Sequence, residues 1–394
     1  MKNYAKVILQ PKKDRSLRLF HPWVFSGAIA KVIGDPKEGE IVEVFSNENE
    51  YMATGHFHEG SIKVRLFSFI ETDCGEEFWY SKFRKAYDNR ERLGLIGNTS
   101  TNIYRLIHAE GDGLPGLIID IYGSVAVIQT HTVGMHEQKN HFVSALKKIY
   151  GTALEAIFDK SSETMSKQNS MQMENSFLYG SQSESEVFEN DVKFYVNWVE
   201  GQKTGFFIDQ RENRKLLAQY SHGKKILNTF SYSGGFSMYA LAGGASEVHS
   251  VDSSKKAGEL AVRNAELNAV TNRHKFHAMD AFDFLKSTKD QYDIVILDPP
   301  AFAKHLSSVD KAMVGYRNLN TEGFNKVKPG GLLFTFSCSQ VIDKILFRKI
   351  VFQAAAQSKR NVRILYQLTQ GPDHAISIYH PEGEYLKGLV LQVD

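Results

Sequence analysis

The sequence predicts an α/β protein whose C-terminal half is a doubly wound, Rossmann-like sheet, preceded by a small β-barrel and a central α+β domain. Three observations carry this. From Gln202 onward short apolar runs that end in acids alternate with amphipathic stretches, the pattern of repeated strand–helix units. From Lys6 to Phe69 four short β-like runs, KVIL, EIVEVF, YMATGHF and IKVRLF, are separated by Gly, Pro, Asn and Asp, as in a small barrel. At 394 residues the chain is too long for one ordinary core. The expected division is residues 1–70, 71–200 and 201–394.

Composition narrows the class. Apolar residues make up 42% of the chain, yet no run of about 18 of them occurs, so no membrane partner is expected. The first thirty residues lack the apolar centre and cleavage site of a signal peptide. Two cysteines, Cys74 and Cys338, cannot build a disulfide framework. These features place the protein in the cytoplasm. Net charge is only +2, but Lys2, Lys6, Lys12, Lys13, Arg15 and Arg18 stand against Asp14 alone in the first thirty residues. Such a patch reads either as a phosphate footprint or as a solvated face.

Each element follows from its period. HPWVFSGAI, between the first two barrel runs, reads as a buried turn around Trp23 or as a ligand-facing loop. Phe83, Ala86, Tyr87, Arg90 and Leu93 have helical spacing over Glu76 to Leu93. Arg105 to Thr130, broken by Gly111, Gly113, Pro115 and Gly123, predicts a β-meander. His136 to Tyr150 is a helix and LEAIFD a strand. Ser161 to Ser185, rich in Ser, Gln, Glu and Met, is expected to be a mobile insert. VFENDVKFYVNWVEG predicts a hairpin turning at Asn190 and Asp191. The sheet that follows uses KKILNTF, EVHSVD, RHKFHAMD, YDIVILD and LLFTFSC, with helices beginning near Asp209, Gly235, Ser253, Ala281, Ser308 and Gln340; VRILYQL and LKGLVLQV complete it.

In such folds ligands sit beyond the carboxyl ends of the strands. Ser231, Asp252, Asp298 and Cys338 all fall there. Asp252 lies 18 positions past Gly234, close to the interval for an acid that accepts from ribose hydroxyls. The alternative is a cap for the helix that follows. Asp280 is open to the same two readings, as an adenine acceptor or a cap. Gly234 and Gly235 are adjacent, which departs from GxGxxG and fits a carrier with no pyrophosphate. In ILDPPAF, Pro299 and Pro300 remove two backbone donors and leave carbonyls and the Asp298 carboxylate to accept from an amino-bearing base beside Phe302. That alone favours methylation of an exocyclic nitrogen.

Cys338 changes the balance. Adjacent parallel strands bring it to the same edge as Asp298, where a thiolate could add to cytosine carbon 6 and make carbon 5 nucleophilic. A free cysteine is otherwise a small core residue. Dense metal-ligand spacing, HExxH, a P-loop and a GxSxG elbow are all missing, so no metal is expected. An NAD-dependent oxidoreductase would account for Asp252 but would leave the Pro pair without a task. An RNA-binding protein without catalysis would rest on the basic N-terminus alone.

The motifs GQKTGFFIDQRENR, NTFSYSGGF, VDSSKKAGELAVRNAELN, LDPPAF, GYRNLN, TFSCS and PEGEYLKG together resemble the bacterial class I methyltransferases that make 5-methylcytosine in 23S ribosomal RNA. The resemblance implies a PUA domain at SLRLFHPWVFSGAI and a central domain at RLIHAEGDGLPGLIIDIYG. It implies S-adenosyl-L-methionine held by the turn Phe230, Ser231, Tyr232, Ser233, Gly234, Gly235 and Phe236, with Asp252 and Asp280, and with Asp298 beside it. It implies Asp298 at the target base, Cys338 as the nucleophile and ribosomal RNA as partner. Lys12, Lys13, Arg15 and Arg18 are the expected phosphate contacts of the barrel. Ser233 stands where threonine is usual and keeps the hydroxyl; Ala375 stands where proline is common. The oligomeric state is left open, a homodimer included.

Overall fold

The computed structural model describes residues 4–165 and 174–394. Lys2 of the basic N-terminus and part of the expected insert lie outside them. By contact the chain forms two compact units. The first gathers Met1–Ser185, Val196–Phe206 and Pro372–Gly383; the second gathers Glu186–Tyr195, Phe207–Gly371 and Glu384–Asp394.

The first unit holds two sheets. β1 (Ala5–Leu9), β2 (Trp23–Phe25), β3 (Ile29–Ile33), β4 (Ile41–Phe45), β5 (Tyr51–Phe57) and β6 (Ile62–Ser68) form a six-stranded sheet in the order β2-β6-β5-β4-β1-β3. Its inward residues, among them Val7, Leu9, Val24, Val44 and Leu66, bury a core of their own. Period-two spacing exposes four of these strands in the sequence. The other two lie at or beside HPWVFSGAI, which is strand, 3₁₀ turn and strand rather than a turn or loop. Strands of three and five residues with outward-facing apolar side chains, Phe25, Val32 and Ile33, carry no alternation to read.

The second sheet runs β11-β10-β9-β8-β7: a meander of β7 (Ile103–His108), β8 (Leu117–Tyr122) and β9 (Val125–Thr130), then β10 (Ala156–Asp159) parallel to β9 and β11 (Ser176–Tyr179) antiparallel to β10. Helices Glu76–Arg92 and Lys139–Tyr150 bury Trp79, Phe83, Phe142 and Leu146 in the same core as Ile119, Ile128 and Ile157. β11 falls inside the stretch expected to be a mobile insert, as does the short helix Ser162–Met165. Pairing to β10 supplies the order that polar composition conceals.

Charges organise this unit internally. Arg90, 1% exposed, donates to both oxygens of Asp112 at 2.5 and 2.7 Å and to the carbonyls of Arg105 and Asp373 at 2.8 Å. Arg105 forks onto Asp120 at 2.8 Å through two nitrogens, and Thr204 donates to the same carboxylate at 2.6 Å. The segments returning from far along the chain are thus tied by hydrogen bonds that desolvation strengthens. Gly111 is required beside them, since a Cβ there would lie 1.9 Å from the Ala375 carbonyl oxygen.

The second unit contains most of a hairpin, β12 (Glu184–Glu189) and β13 (Val192–Asn197), whose turn residues Asn190 and Asp191 take φ of 49° and 64° as a type I′ turn demands. It then builds β14 (Lys225–Thr229), β15 (Glu247–Asp252), β16 (His274–Ala278), β17 (Tyr292–Leu297), β18 (Val327–Ser337), β19 (Val362–Leu368) and β20 (Lys387–Val393) into one sheet ordered β16-β15-β14-β17-β18-β20-β19. The first five are parallel; β20 is antiparallel to both neighbours. Helix Lys255–Leu267 clamps the hairpin: Asn264 donates to the Ser233 carbonyl and accepts from the Tyr195 amide, while Asn268 exchanges two bonds with Lys193. Among the described residues no helix is long and apolar enough to cross a membrane.

Removing one partner of the buried Arg90–Asp112 pair leaves the other charge unpaired. Asp112→Ala should lower stability by about 3–5 kcal/mol in denaturant melts followed by tryptophan fluorescence. A loss below about 1 kcal/mol would show that this pair does not hold the unit together.

Candidate active site

Strand register places the chemistry. Thr229 of β14 pairs with Leu297 of β17, and Leu297 pairs with Thr335 of β18. The turn after β14, Asp298 after β17 and Cys338 after β18 therefore emerge at one edge of the sheet. Asp252 ends β15 next door.

The turn from Phe230 to Gly234 is conformationally expensive. Phe230, Tyr232 and Gly234 have φ of 55°, 45° and 77°, and two of these are not glycine. Two of its amides brace it against β15: Ser231 donates to the Val251 carbonyl at 3.1 Å and Tyr232 to Asp252 Oδ2 at 2.9 Å. Gly234 opens helix Gly235–Ala242, and a Cβ there would come within 3.3 Å of Ala261, so the glycine lets the turn pack on helix Lys255–Leu267. Phe236 packs on Phe336 with ring centroids 5.5 Å apart. Ser231 Oγ is buried without a hydrogen-bond partner, a polar group awaiting one.

Asp252 is not the helix cap. Ser254 caps Lys255–Leu267, while Asp252 Oδ1 accepts from the Ser254 amide at 2.9 Å. Each carboxylate oxygen keeps a lone pair beyond these bonds. Asp280 does cap its helix, accepting from Phe282 and Asp283 through Oδ1.

Asp298 is held by Gln210, whose Nε2 donates to Oδ2 at 3.1 Å. Asn213 donates to Gln210 Oε1 at 2.6 Å and so orients that amide. Burial, and then the Asp209 carboxylate, push Asp298 up to about 7, against the lowering effects of Gln210 and Arg214. Near neutral pH it can therefore give or take a proton. Asp209 accepts from the Tyr385 hydroxyl at 2.7 Å through Oδ2, and its Oδ1 is buried without a partner.

Cys338 is half-buried, unlike the sealed Cys74 at 3% exposure. Its flanks are tied to helix Val309–Lys326: Ser337 Oγ donates to the Tyr316 hydroxyl at 3.0 Å, which lies 3.1 Å from Ser339 Oγ. Ser339 Oγ also accepts from the Ala303 amide at 3.4 Å, and the Phe302 ring lies 4.5 Å from that of Tyr316. Of the Pro pair that precedes Phe302, Pro299 is buried and Pro300 exposed. Burial, then the carboxylates of Asp298 and Asp209, push the thiol up to about 11, and Lys387 pulls it down.

Lys12, Lys13 and Arg15 lie in the first unit and are exposed. Arg18 is already committed to Asp14 and Glu50 at 2.6 and 2.7 Å. Sequence reasoning assigned no role to Asp209, Gln210, Asn213, Tyr316, Tyr385 or Lys387. Their signal lay in GQKTGFFIDQRENR, GYRNLN and PEGEYLKG, whose polar residues had no strand end to place them.

Comparison with known proteins agrees with this architecture. A PUA-like domain matches residues 7–69, and an S-adenosylmethionine-dependent methyltransferase domain matches residues 155–376. The chain belongs to the S-adenosylmethionine-dependent methyltransferase family, and its cofactor is S-adenosyl-L-methionine. Among its relatives, proteins named ribosomal RNA large subunit methyltransferase I are 38% identical in Aeromonas hydrophila subsp. hydrophila, covering 98% of this chain and 99% of that protein, and 37% identical in Vibrio parahaemolyticus, covering 99% of each. A solved structure described as a SAM-dependent methyltransferase from Streptococcus mutans shares the fold, with a TM-score of 0.84 at 22% identity over 98% of this chain and 100% of that one.

The two charges facing Cys338 can be separated by alkylation with iodoacetamide in a Cys74→Ser background. A carboxylate beside the sulfur disfavours a second negative charge, so Asp298→Asn lowers the pKa of the thiol. The variant should alkylate about tenfold faster at pH 8, about one pKa unit's worth of thiolate. It should match the parent near pH 6, where Asp298 is mostly protonated. Equal rates at pH 8 would show that Asp298 does not act on the sulfur.

Proposed function

We propose that the protein methylates carbon 5 of a cytosine in 23S ribosomal RNA through a covalent adduct with Cys338. The observation that carries the reading is one thiol and one carboxyl of raised pKa at the ends of the adjacent parallel strands β18 and β17. The name of the full-length relatives supports the choice of large-subunit RNA.

S-adenosylmethionine fits the β14 turn on two counts: the unpartnered Ser231 hydroxyl and the spare lone pairs of Asp252 for ribose hydroxyls. The turn from Phe230 to Phe236, Asp252 and Asp280 would hold it. When bound, it supplies a methyl group on a sulfonium sulfur, the electrophile the reaction needs.

The chain's own residues do the rest. The Cys338 thiolate adds to carbon 6, the carbon 5–carbon 6 π pair moves to the carbon 4–carbon 5 bond, and the carbon 4–nitrogen 3 π pair takes a proton from Asp298 at nitrogen 3. Protonation also removes the negative charge that opposes the thiolate, so one proton serves both groups. Carbonyls around Pro299 and Pro300 accept from the exocyclic amine, and Phe302 lines the base. Once carbon 5 carries its new substituent, its proton leaves to water or to the ionised Asp298. The released pair reforms the double bond and expels Cys338, and nitrogen 3 gives its proton back to Asp298 or to water, which leaves neutral 5-methylcytosine.

In the barrel, Lys12, Lys13 and Arg15 face phosphates, and Arg18 does so only at the expense of its two carboxylate partners.

Cys338→Ser should keep S-adenosylmethionine affinity and lose transfer to 23S RNA by at least a thousandfold; full turnover by that variant would sink the covalent route. RNA containing 5-fluorocytosine should form a denaturation-resistant adduct with the unmodified enzyme, because fluorine cannot leave as a cation. Nucleoside analysis of the product separates 5-methylcytosine from a methylated exocyclic amine. Neutralising Lys12, Lys13 and Arg15 together should flatten the slope of log affinity against log salt by about 2–3; an unchanged slope would make the patch a solvated face.

A further inference from the structure

PEGEYLKG carries, one residue before its end, a buried lysine that has no task in the proposed reaction. Lys387 is 3% exposed. It opens β20, and antiparallel register sets it directly opposite Ser337, the residue before Cys338. The next pair, Gly388 opposite Phe336, is so close that a Cβ on Gly388 would lie 2.6 Å from the Phe336 ring. The strands therefore cannot shift apart or slide without losing this packing. From that position Nζ donates to the Ser339 carbonyl at 2.6 Å and to the Tyr385 carbonyl at 2.7 Å. One bond grips the residue after the thiol. The other grips the residue whose hydroxyl holds Asp209.

Burying an ammonium on two neutral carbonyls is costly, and an apolar side chain of similar length would fill the space at lower desolvation cost. The groups around the thiol show what the charge can do. Asp298 after β17 and Asp209 before helix Arg211–Tyr220 both present negative charge to Cys338; Tyr316, from helix Val309–Lys326, presents a neutral hydroxyl to its flanks. Lys387 presents positive charge from β20, and Asp343, Glu384 and Lys344 are the further charges facing it.

We propose that Lys387 is a positioning residue for the reactive thiol: its ammonium holds the backbone that follows Cys338 and supplies the positive charge against which the thiolate forms. This rests on the reading of Cys338 as the nucleophile. Burial lowers Lys387 to about 8, so its charge is present at neutral pH and is withdrawn as pH rises beyond that point. Its help to the thiolate is greatest near pH 7 and fades above pH 8.

The test is the pH profile of iodoacetamide alkylation of Cys338 in the full chain with Cys74→Ser, which needs no RNA. Lys387→Met should alkylate about tenfold more slowly at pH 7, with the gap closing by pH 9. Lys387→Arg, which keeps its charge at every pH, should match the parent at pH 7 and exceed it at pH 9. Parental profiles in both variants would overturn the proposal and leave Lys387 a buried strut. If Lys387→Met does not fold, Lys387→Arg at pH 9 decides alone: a faster rate supports the charge, an equal rate overturns it. Formation of the 5-fluorocytosine adduct by the parent is read separately. Its absence alongside shifted alkylation profiles would strike the nucleophile reading and spare the Lys387–Cys338 coupling.

Discussion

Parallel pairing of β17 with β14 on one side and β18 on the other is the constraint on which the site depends. Three chain segments far apart in sequence end their strands in register, so a strained turn, a carboxyl and a thiol leave the sheet at one edge. Parallel strands cannot slip singly here, because each is buried on both faces and a one-residue shift would exchange those faces. The placement of the turn, the carboxyl and the thiol is therefore set by the apolar residues beneath them, Leu227, Val295, Leu297 and Leu333, which have no exposure at all.

Above that base the site is governed by charge in a desolvated space. Asp209 and Asp298 share one small region, and their mutual repulsion together with burial holds Asp298 near neutrality. The same two carboxylates oppose ionisation of Cys338. A proton on Asp298 and a charge on Lys387 act in the same direction on the sulfur. The hydrogen bonds from Gln210 and Tyr385 orient the two carboxyls without neutralising either. Tyr316 and the Ala303 amide link the loop after β17 to the one after β18, which carries the thiol.

Some of this was legible in the chain. The alternating strands and helices of the C-terminal half, the meander from Arg105 to Thr130 and the Asn190–Asp191 hairpin all appear where period and turn chemistry place them. Cys338 and Asp298 could be paired because a doubly wound sheet puts strand ends together. Asp280 could not be separated from a cap, since an acid before a helix looks the same in either role. The strand at Ser176–Tyr179 was hidden by polar composition, because its order comes from a partner and not from its own side chains.

The sequence by itself determined the class of fold, the strand ends and the placement of Asp298 and Cys338 just beyond two of them. These are local properties: apolar period, turn residues and the residue that follows each strand. Only the tertiary structure decided that Asp252 braces the turn after β14 while Ser254 caps the helix, that Arg18 is already paired, and that Asp209, Tyr316 and Lys387 surround the thiol. The physical reason is distance along the chain. Lys387 meets Cys338 through antiparallel register across a strand that arrives last, and no pattern within either segment encodes the charge of the other.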